Sequence, residues 1–238
     1  MRSVKGLISA SVFAVILLSL AALIFLAGCA NIGIAKQEKG IEDSRGVLGS
    51  AGTADSFEIP ASTAPARPSF KPFYIYTDDR SKDNHFAPSG WMGDTQDLKM
   101  SGSYQDNPHS GKTCLKITYL AKGPGKWAGI FWQQPANNWG DRKGGYDLRG
   151  AQALTFWARG EKGGEKITEM KMGGITGKYP DSDTAWIGPL KLTREWKMYT
   201  ISLTGKDLRY INGGFCISVL RAENPRGCTF YIDDIRYE

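Results

Sequence analysis

From about residue 70 onward the chain alternates between apolar and polar positions. Leu115, Ile117 and Tyr119 fall on one side of a run in which Lys116 and Thr118 fall on the other. Farther along, Tyr199, Ile201 and Leu203 alternate with Thr200 and Ser202. A period of two marks a strand with one buried and one solvated face. Similar runs read FYIYT (73–77), TCLKITYL (113–120), AGIFWQQ (128–134), ALTFWARG (153–160), EKITEMKMGG (165–174), WKMYTISL (196–203), GGFCISVL (213–220) and CTFYIDDIRY (228–237). Clusters of Gly, Pro, Asn and Asp, which favour turns, separate them. Helical patterning is confined to short turns such as TGKDLRYI (204–211). Eight or more short strands without amphipathic helices predict an all-β protein, an antiparallel β-sandwich or jelly roll. The roughly 170 residues of 70–238 suffice for one domain.

The first 69 residues are patterned differently. Arg2 and Lys5 precede an apolar stretch, 6–25, which Leu26, Ala27, Gly28 and Cys29 close. A basic start, an apolar middle and a small-residue end define a secretory signal. A stretch of about 20 apolar residues could also span a bilayer, so an uncleaved anchor is the alternative. Leu-Ala-Gly-Cys resembles the bacterial lipobox, which implies a lipoprotein signal peptide over 1–28 and lipidation at Cys29. Ala30 stands where a signal for inner-membrane retention favours Asp, so in a Gram-negative cell the outer membrane is expected. The domain would then be exported into the cell envelope and meet the membrane through its lipid anchor only. Residues 29–69, rich in Gly, Ala, Ser, Thr and Pro and ending near IPASTAPARPSF, read as a flexible tether.

The formal net charge of +6 falls to +4 once Arg2 and Lys5 leave with the signal. Basic residues are scattered among acids, so the footprint of a nucleic-acid binder is missing and no nucleic-acid partner is expected. Of the four cysteines, Cys114, Cys216 and Cys228 remain beside Cys29, an odd number for an oxidising compartment. One disulfide with a free thiol and three buried thiols are both open readings. No Cys or His spacing suggests zinc.

The densest chemistry lies in FWQQPANNWGDR (131–142), shortly after Trp127. Sugars offer C–H faces to aromatic rings and hydroxyls to planar amides and charged groups. Candidate carbohydrate-binding residues are therefore Trp127, Trp132, Gln133, Asn138, Trp139 and Arg142. Alternation puts Ile130, Trp132 and Gln134 on one face and Gly129, Phe131 and Gln133 on the other, so either Trp132 or Phe131 points away from the core. Trp157 and Trp196 sit in regular strand contexts and are assigned to packing. Trp127, Trp139 and Trp186, beside Gly, Pro or Asn, are better placed for exposure, and Trp91 is open.

Signals of catalysis are weak. A glycosidase needs two carboxylates about 5 to 10 Å apart. Asp181 and Asp183 have a suitable spacing but occupy a turn-like stretch, and Glu165 and Glu169 would lie about 13 Å apart on one strand face. His85 and His109 lie in loops without an adjacent nucleophile motif. The glycines of GGEK, KMGG and RKGG lack the strand-to-helix context of a phosphate loop.

NPHSGKTCLKITY (107–119), LTREWKMYTISLTGKDL (192–208) and FYIDDIRYE (230–238) resemble three segments of carbohydrate-binding modules in the galactose-binding-like jelly-roll superfamily. The resemblance extends over nearly all of 70–238. It implies a jelly roll that binds a polysaccharide or oligosaccharide without catalysis. It also implies a structural calcium, Ca2+, held by Asp233, by Asp78 or Asp79, and by carbonyls around Gly111 and Lys112. Carboxylate and carbonyl oxygens suit that hard cation. A structural or assembly protein of the envelope, using its tryptophans on a protein partner, is the alternative, because interfaces favour the same residues. A glycan-degrading enzyme is a third reading, although the Glu-x-Asp-x-x-Glu signature of laminarinase-type jelly rolls is absent.

Overall fold

The structure, a computed structural model, describes residues 70–238. The expected signal (1–28), lipidation site (Cys29) and tether (29–69) lie outside the described residues. Thirteen strands make up the described part: β1 (Phe73–Tyr76), β2 (Ala87–Gly93), β3 (Leu98–Tyr104), β4 (Cys114–Tyr119), β5 (Trp127–Gln133), β6 (Ala153–Gly160), β7 (Lys166–Ile167), β8 (Glu169–Gly173), β9 (Thr184–Ile187), β10 (Leu190–Lys191), β11 (Lys197–Ser202), β12 (Gly213–Leu220) and β13 (Cys228–Tyr237). The first sheet runs β11-β6-β13-β4-β3, with β1 also paired to β13. The second runs β2-β5-β12-β8-β9, and β10 pairs with β7 in a short ribbon. All pairings are antiparallel, as the alternation predicts.

The core fills the space between the two sheets. Leu115, Ile117, Tyr119, Phe156, Phe230 and Ile232 project from the first sheet onto Ile130, Trp132, Met170, Phe215 and Ile217 of the second. Phe215 joins the layers, its ring 5.5 Å from Trp132 and 5.4 Å from Phe156. The Tyr237 hydroxyl crosses to the Gly214 carbonyl at 2.6 Å, which satisfies a polar atom deep in the core. Truncating one such aromatic to Ala costs about 3 to 5 kcal/mol, through lost transfer energy and the cavity left behind.

The stretch 165–174 is split at Thr168 into β7 and β8, and β2, β3 and β9 add strands that the periodic pattern did not mark. These three lie at sheet edges. Edge strands bury less of each face, and β2 also contains Pro88, Gly90 and Gly93, with its register shifting between Pro88 and Gly90. The cysteine alternatives resolve to thiols: Cys114 and Cys216 are buried, Cys228 is half-buried, and all three are free. Burial pushes each thiol up to about 12, so none is a reactive thiolate near neutral pH.

Candidate functional site

The register of the second sheet places a defined row of side chains on its outer face. Trp186 pairs with Lys171, Lys171 with Cys216, Cys216 with Phe131, and Phe131 with Gly90. Directly paired residues share a face, so all five point away from the core. A second row holds Glu169, Ser218, Gly129 and Met92, and Leu220 stands beside Trp127 at the end of the sheet. With strands about 4.8 Å apart, Trp186 and Phe131 are separated by roughly 14 Å.

The middle of this face is low and its ends are aromatic. A Cβ on Gly129 would come within 2.7 Å of the Ile217 carbonyl oxygen and 3.1 Å of the Met92 methyl, so glycine keeps the floor flat. Phe131, Cys216 and Ile175 form a small outer cluster with Met92 against it. Trp139 stands edge-on to Phe131 with ring centroids 6.2 Å apart. It is 45% exposed, and Trp186 is 61% exposed. Between them lies Lys171, its Nζ 3.1 Å from Glu169 Oε1 and 5.7 Å from the Phe131 centroid. Large rings left bare beside a charged pair mark a surface suited to a ligand with both apolar and hydroxyl faces.

Buried amides aim Trp139. Asn138 Nδ2 donates to the Arg142 carbonyl at 3.0 Å and to Asn212 Oδ1 at 3.1 Å, while its Oδ1 accepts from the Gly140 and Arg142 N–H groups. Gln133 Nε2 donates to the Asn138 carbonyl at 3.0 Å, and Ser89 Oγ donates to Gln133 Oε1 at 3.0 Å. Gly140 has φ +88°, and a Cβ there would overlap the Thr176 carbonyl. Glycine thus lets the tryptophan loop lie against the segment after β8. Asp181 anchors that segment, accepting N–H groups from Ile175 at 2.8 Å, Gly213 at 3.1 Å and Asn212. Burial raises its pKa above the ordinary aspartate range despite those three donors.

Three of the six candidate binding residues need correction. Trp132 is 1% exposed and packs in the core, so it cannot stack on a ligand. Gln133 and Asn138 are fully buried, and their amides are used on the protein itself. Trp139 stays a candidate. Trp127 stays one as well, half-buried on the outer face two positions from Gly129. Arg142 is exposed on the Trp139 loop, its guanidinium donating to the Ala136 carbonyl at 2.7 Å. Sequence reasoning missed Lys171 and Glu169 as face residues. The alternation of Met170 and Met172 with them carried that signal. Trp186 is exposed as expected, and it stands on the edge strand β9. Asp181, in the turn-like stretch, is half-buried rather than fully exposed.

The expected calcium ligands are only partly assembled. Asp78 Oδ1 accepts the N–H groups of Lys112 at 2.9 Å and Thr113 at 2.8 Å, together with the Thr113 hydroxyl at 3.0 Å. Burial raises the Asp78 pKa, but these donors outweigh it and hold the carboxyl below its usual range. Buried Asp233 accepts the His109 N–H at 2.9 Å and the Ser110 N–H at 3.3 Å through Oδ2, and the Asp234 N–H at 2.9 Å through Oδ1. Burial, then the Asp234 charge, pushes Asp233 to about 7 against those bonds. Gly111, at φ +60°, sits where a Cβ would overlap Asp78. Asp79 instead turns to Arg80, 3.6 Å away. N–H groups of the loop face both carboxylates, whereas calcium takes six to eight oxygens. Among the described residues no group of three or more acidic, His or Cys side chains could hold a metal. The residues fit a hydrogen-bonded clasp around 109–113, and do not fit a calcium cage.

Trp157 and Trp196 pack as expected, but outside the inter-sheet core. On the outer face of the first sheet, Trp157 stacks on His109 at 3.8 Å, while the Arg159 guanidinium lies 3.8 Å from the Tyr231 ring centroid and 5.2 Å from that of Trp196. His109 also serves its turn, bonding Asp234 through Nδ1 at 2.7 Å.

No family model matches the chain, and no curated protein does. Among solved structures it is similar to a family 30 carbohydrate-binding module of a cellulosomal cellulase of Clostridium thermocellum. That match is 16% identical, covers 71% of this chain and 97% of that one, and has a TM-score of 0.48. A family 29 carbohydrate-binding module matches at 12% identity over 71% of this chain and 91% of its own, with a TM-score of 0.41. A family 11 carbohydrate-binding module of another Clostridium thermocellum cellulosomal cellulase matches at 14% identity over 63% and 82%, with a TM-score of 0.40.

Proposed function

We propose that residues 70–238 form a non-catalytic carbohydrate-binding domain that holds a polysaccharide or oligosaccharide across the strands of β2-β5-β12-β8-β9. The observation that carries this reading is the row from Trp186 through Lys171 and Cys216 to Phe131 and its covering Trp139. It offers two bare indoles with a low floor and a charged pair between them. Sugar rings would stack on Trp186 and Trp139, and hydroxyls would meet Lys171, Glu169 and Ser218. Each aromatic contact contributes about 1 kcal/mol, or about fivefold in Kd. Turnover has no pair of facing carboxylates in the Glu169 row, since the partners across the strands are Ser218, Gly129 and Met92. We also propose export and lipid anchoring at Cys29, on the strength of the Leu-Ala-Gly-Cys sequence.

A glycan array followed by calorimetry on the hit tests the binding role. Trp186→Ala and Trp139→Ala should each lower affinity about fivefold. Absence of any glycan signal, together with recovery of one stoichiometric protein partner, would instead establish the assembly role. Release of reducing ends from the bound glycan would establish an enzyme. Labelling with radioactive palmitate, lost in Cys29→Ala, tests the anchor.

A further inference from the structure

Around Trp139, Gln133, Asn138 and Asn212 are fully buried and bond one another and the backbone, so their amides are taken up by the protein itself. Besides the exposed Asn137, the polar groups left near the indoles are mostly charged, and the charge is unequal. Lys171, Arg142, Lys143 and Lys178 stand against Glu169 and Asp141. Lys171 lies in the row itself, between Trp186 and Cys216, and its Nζ leans to within 5.7 Å of the Phe131 centroid. Arg142 and Lys143 follow Trp139 in a turn that Asn138 Oδ1 closes by accepting the Gly140 and Arg142 N–H groups. Lys178 comes alongside, because the Tyr179 N–H donates to the Gly140 carbonyl at 2.8 Å. Among the described residues only Lys171 of these four cations is ion-paired, to Glu169 at 3.1 Å, and Asp183 near the start of β9 is held by Lys206 at 3.2 Å. Arg142 Nη2 donates to the Ala136 carbonyl at 2.7 Å, and the rest of that exposed guanidinium makes no hydrogen bond among the described residues.

Exposed cations without counter-ions, gathered at one end of an apolar face, attract an anion. A planar guanidinium pairs with a carboxylate through two parallel N–H bonds, and an ammonium that gives one donor to Glu169 keeps two for another acceptor. We propose that the glycan held on this face is acidic: its rings carry carboxylates, as in a uronic-acid polysaccharide, and Arg142 and Lys171 are the residues that select them. Sugar rings stack on Trp186 and Trp139 while carboxylates reach Arg142 on the loop and Lys171 in the row. Glu169 and Ser218 are left to the hydroxyls. The inference rests on the carbohydrate reading of this face and adds the charge of its ligand.

Calorimetry on the full chain with oligomers of galacturonate, mannuronate and glucuronate-substituted xylan, each beside its carboxyl-reduced neutral counterpart, tests it. At least one acidic oligomer should bind about tenfold or more tighter than its neutral counterpart at low salt. That ratio should shrink as sodium chloride is added, because exposed charges are screened. The double variant Arg142→Gln/Lys171→Gln, with its fold checked by a matched Tm, should lose the preference for the acidic oligomer. Trp186→Ala should lower affinity for that oligomer and leave its salt dependence unchanged, since an indole contact carries no charge. Neutral oligomers bound as tightly as acidic ones, or a preference that persists in the folded double variant, would overturn the proposal while leaving glycan binding in place. A sulfated oligosaccharide bound more tightly than every uronate would also overturn it, by assigning the same cations to sulfate. Failure of every oligomer here and of every glycan on the array would remove the carbohydrate reading together with this one.

Discussion

Trp132 and Trp186 show how two strand tryptophans acquire opposite roles. Each alternates with apolar neighbours, yet Trp132 faces the opposing sheet and Trp186 faces solvent. Alternation revealed that β5 has two faces but could not say which is inner, because the outer one is also covered, by Trp139 over Phe131. The amides beside it were misread for a related reason. A polar side chain in a Gly-rich loop serves equally as ligand contact or loop brace, and only burial separates the two. Asn138→Ala leaves several buried partners unsatisfied and should destabilise the fold by about 2 to 3 kcal/mol, read by denaturant unfolding. It should also weaken glycan binding, because Trp139 loses its brace. Asp181 gives a prediction with a sign. Its folded carboxyl binds a proton more tightly than the unfolded one. Its contribution to stability is therefore fully present below about pH 4 and is lost as pH rises through the raised folded value. Asp181→Asn does not titrate, so its Tm relative to wild type should improve as pH rises from about 4 toward neutrality. A difference in Tm that is constant with pH would contradict this.

The elements divide by position in the sheet. Central strands β4, β5, β6, β12 and β13 were legible because each has a continuous buried face, and the boundaries of β12 and β13 coincide with the runs read from sequence. The edge strands β2, β3 and β9 were not, although the edge strand β11 was read from its alternation; β9 matters most because it carries Trp186 into the row beside Lys171. The clasp at the start of β4 is a second case. The resemblance grouped Asp78, Gly111, Lys112 and Asp233 around a cation, and in the structure Asp78 and Asp233 both bond the 109–113 loop, but residue types alone did not reveal that N–H groups would face the carboxylates. A hydrogen-bonded clasp predicts that a calcium chelator leaves Tm unchanged, while Asp78→Ala lowers it by several degrees through loss of its bonds to Lys112 and Thr113. A fall in Tm on chelation, reversed by added calcium, would restore the cation.

At the scale of the molecule, two antiparallel sheets enclose one core and leave a different surface on each outer side. The first sheet covers its outer face with stacked aromatics and cations, Trp157 on His109 and Arg159 against Tyr231 and Trp196. The second leaves two indoles bare. This asymmetry follows from which strands lie next to each other, and so from a topology that no single stretch of sequence contains. The most direct test is calorimetric titration of a glycan-array hit into the wild type and into the double variant Trp139→Ala/Trp186→Ala, with matched Tm values confirming the fold. Binding in the wild type and at least about a twentyfold loss in the double variant is the predicted result. Undiminished affinity in a folded double variant would contradict the binding face.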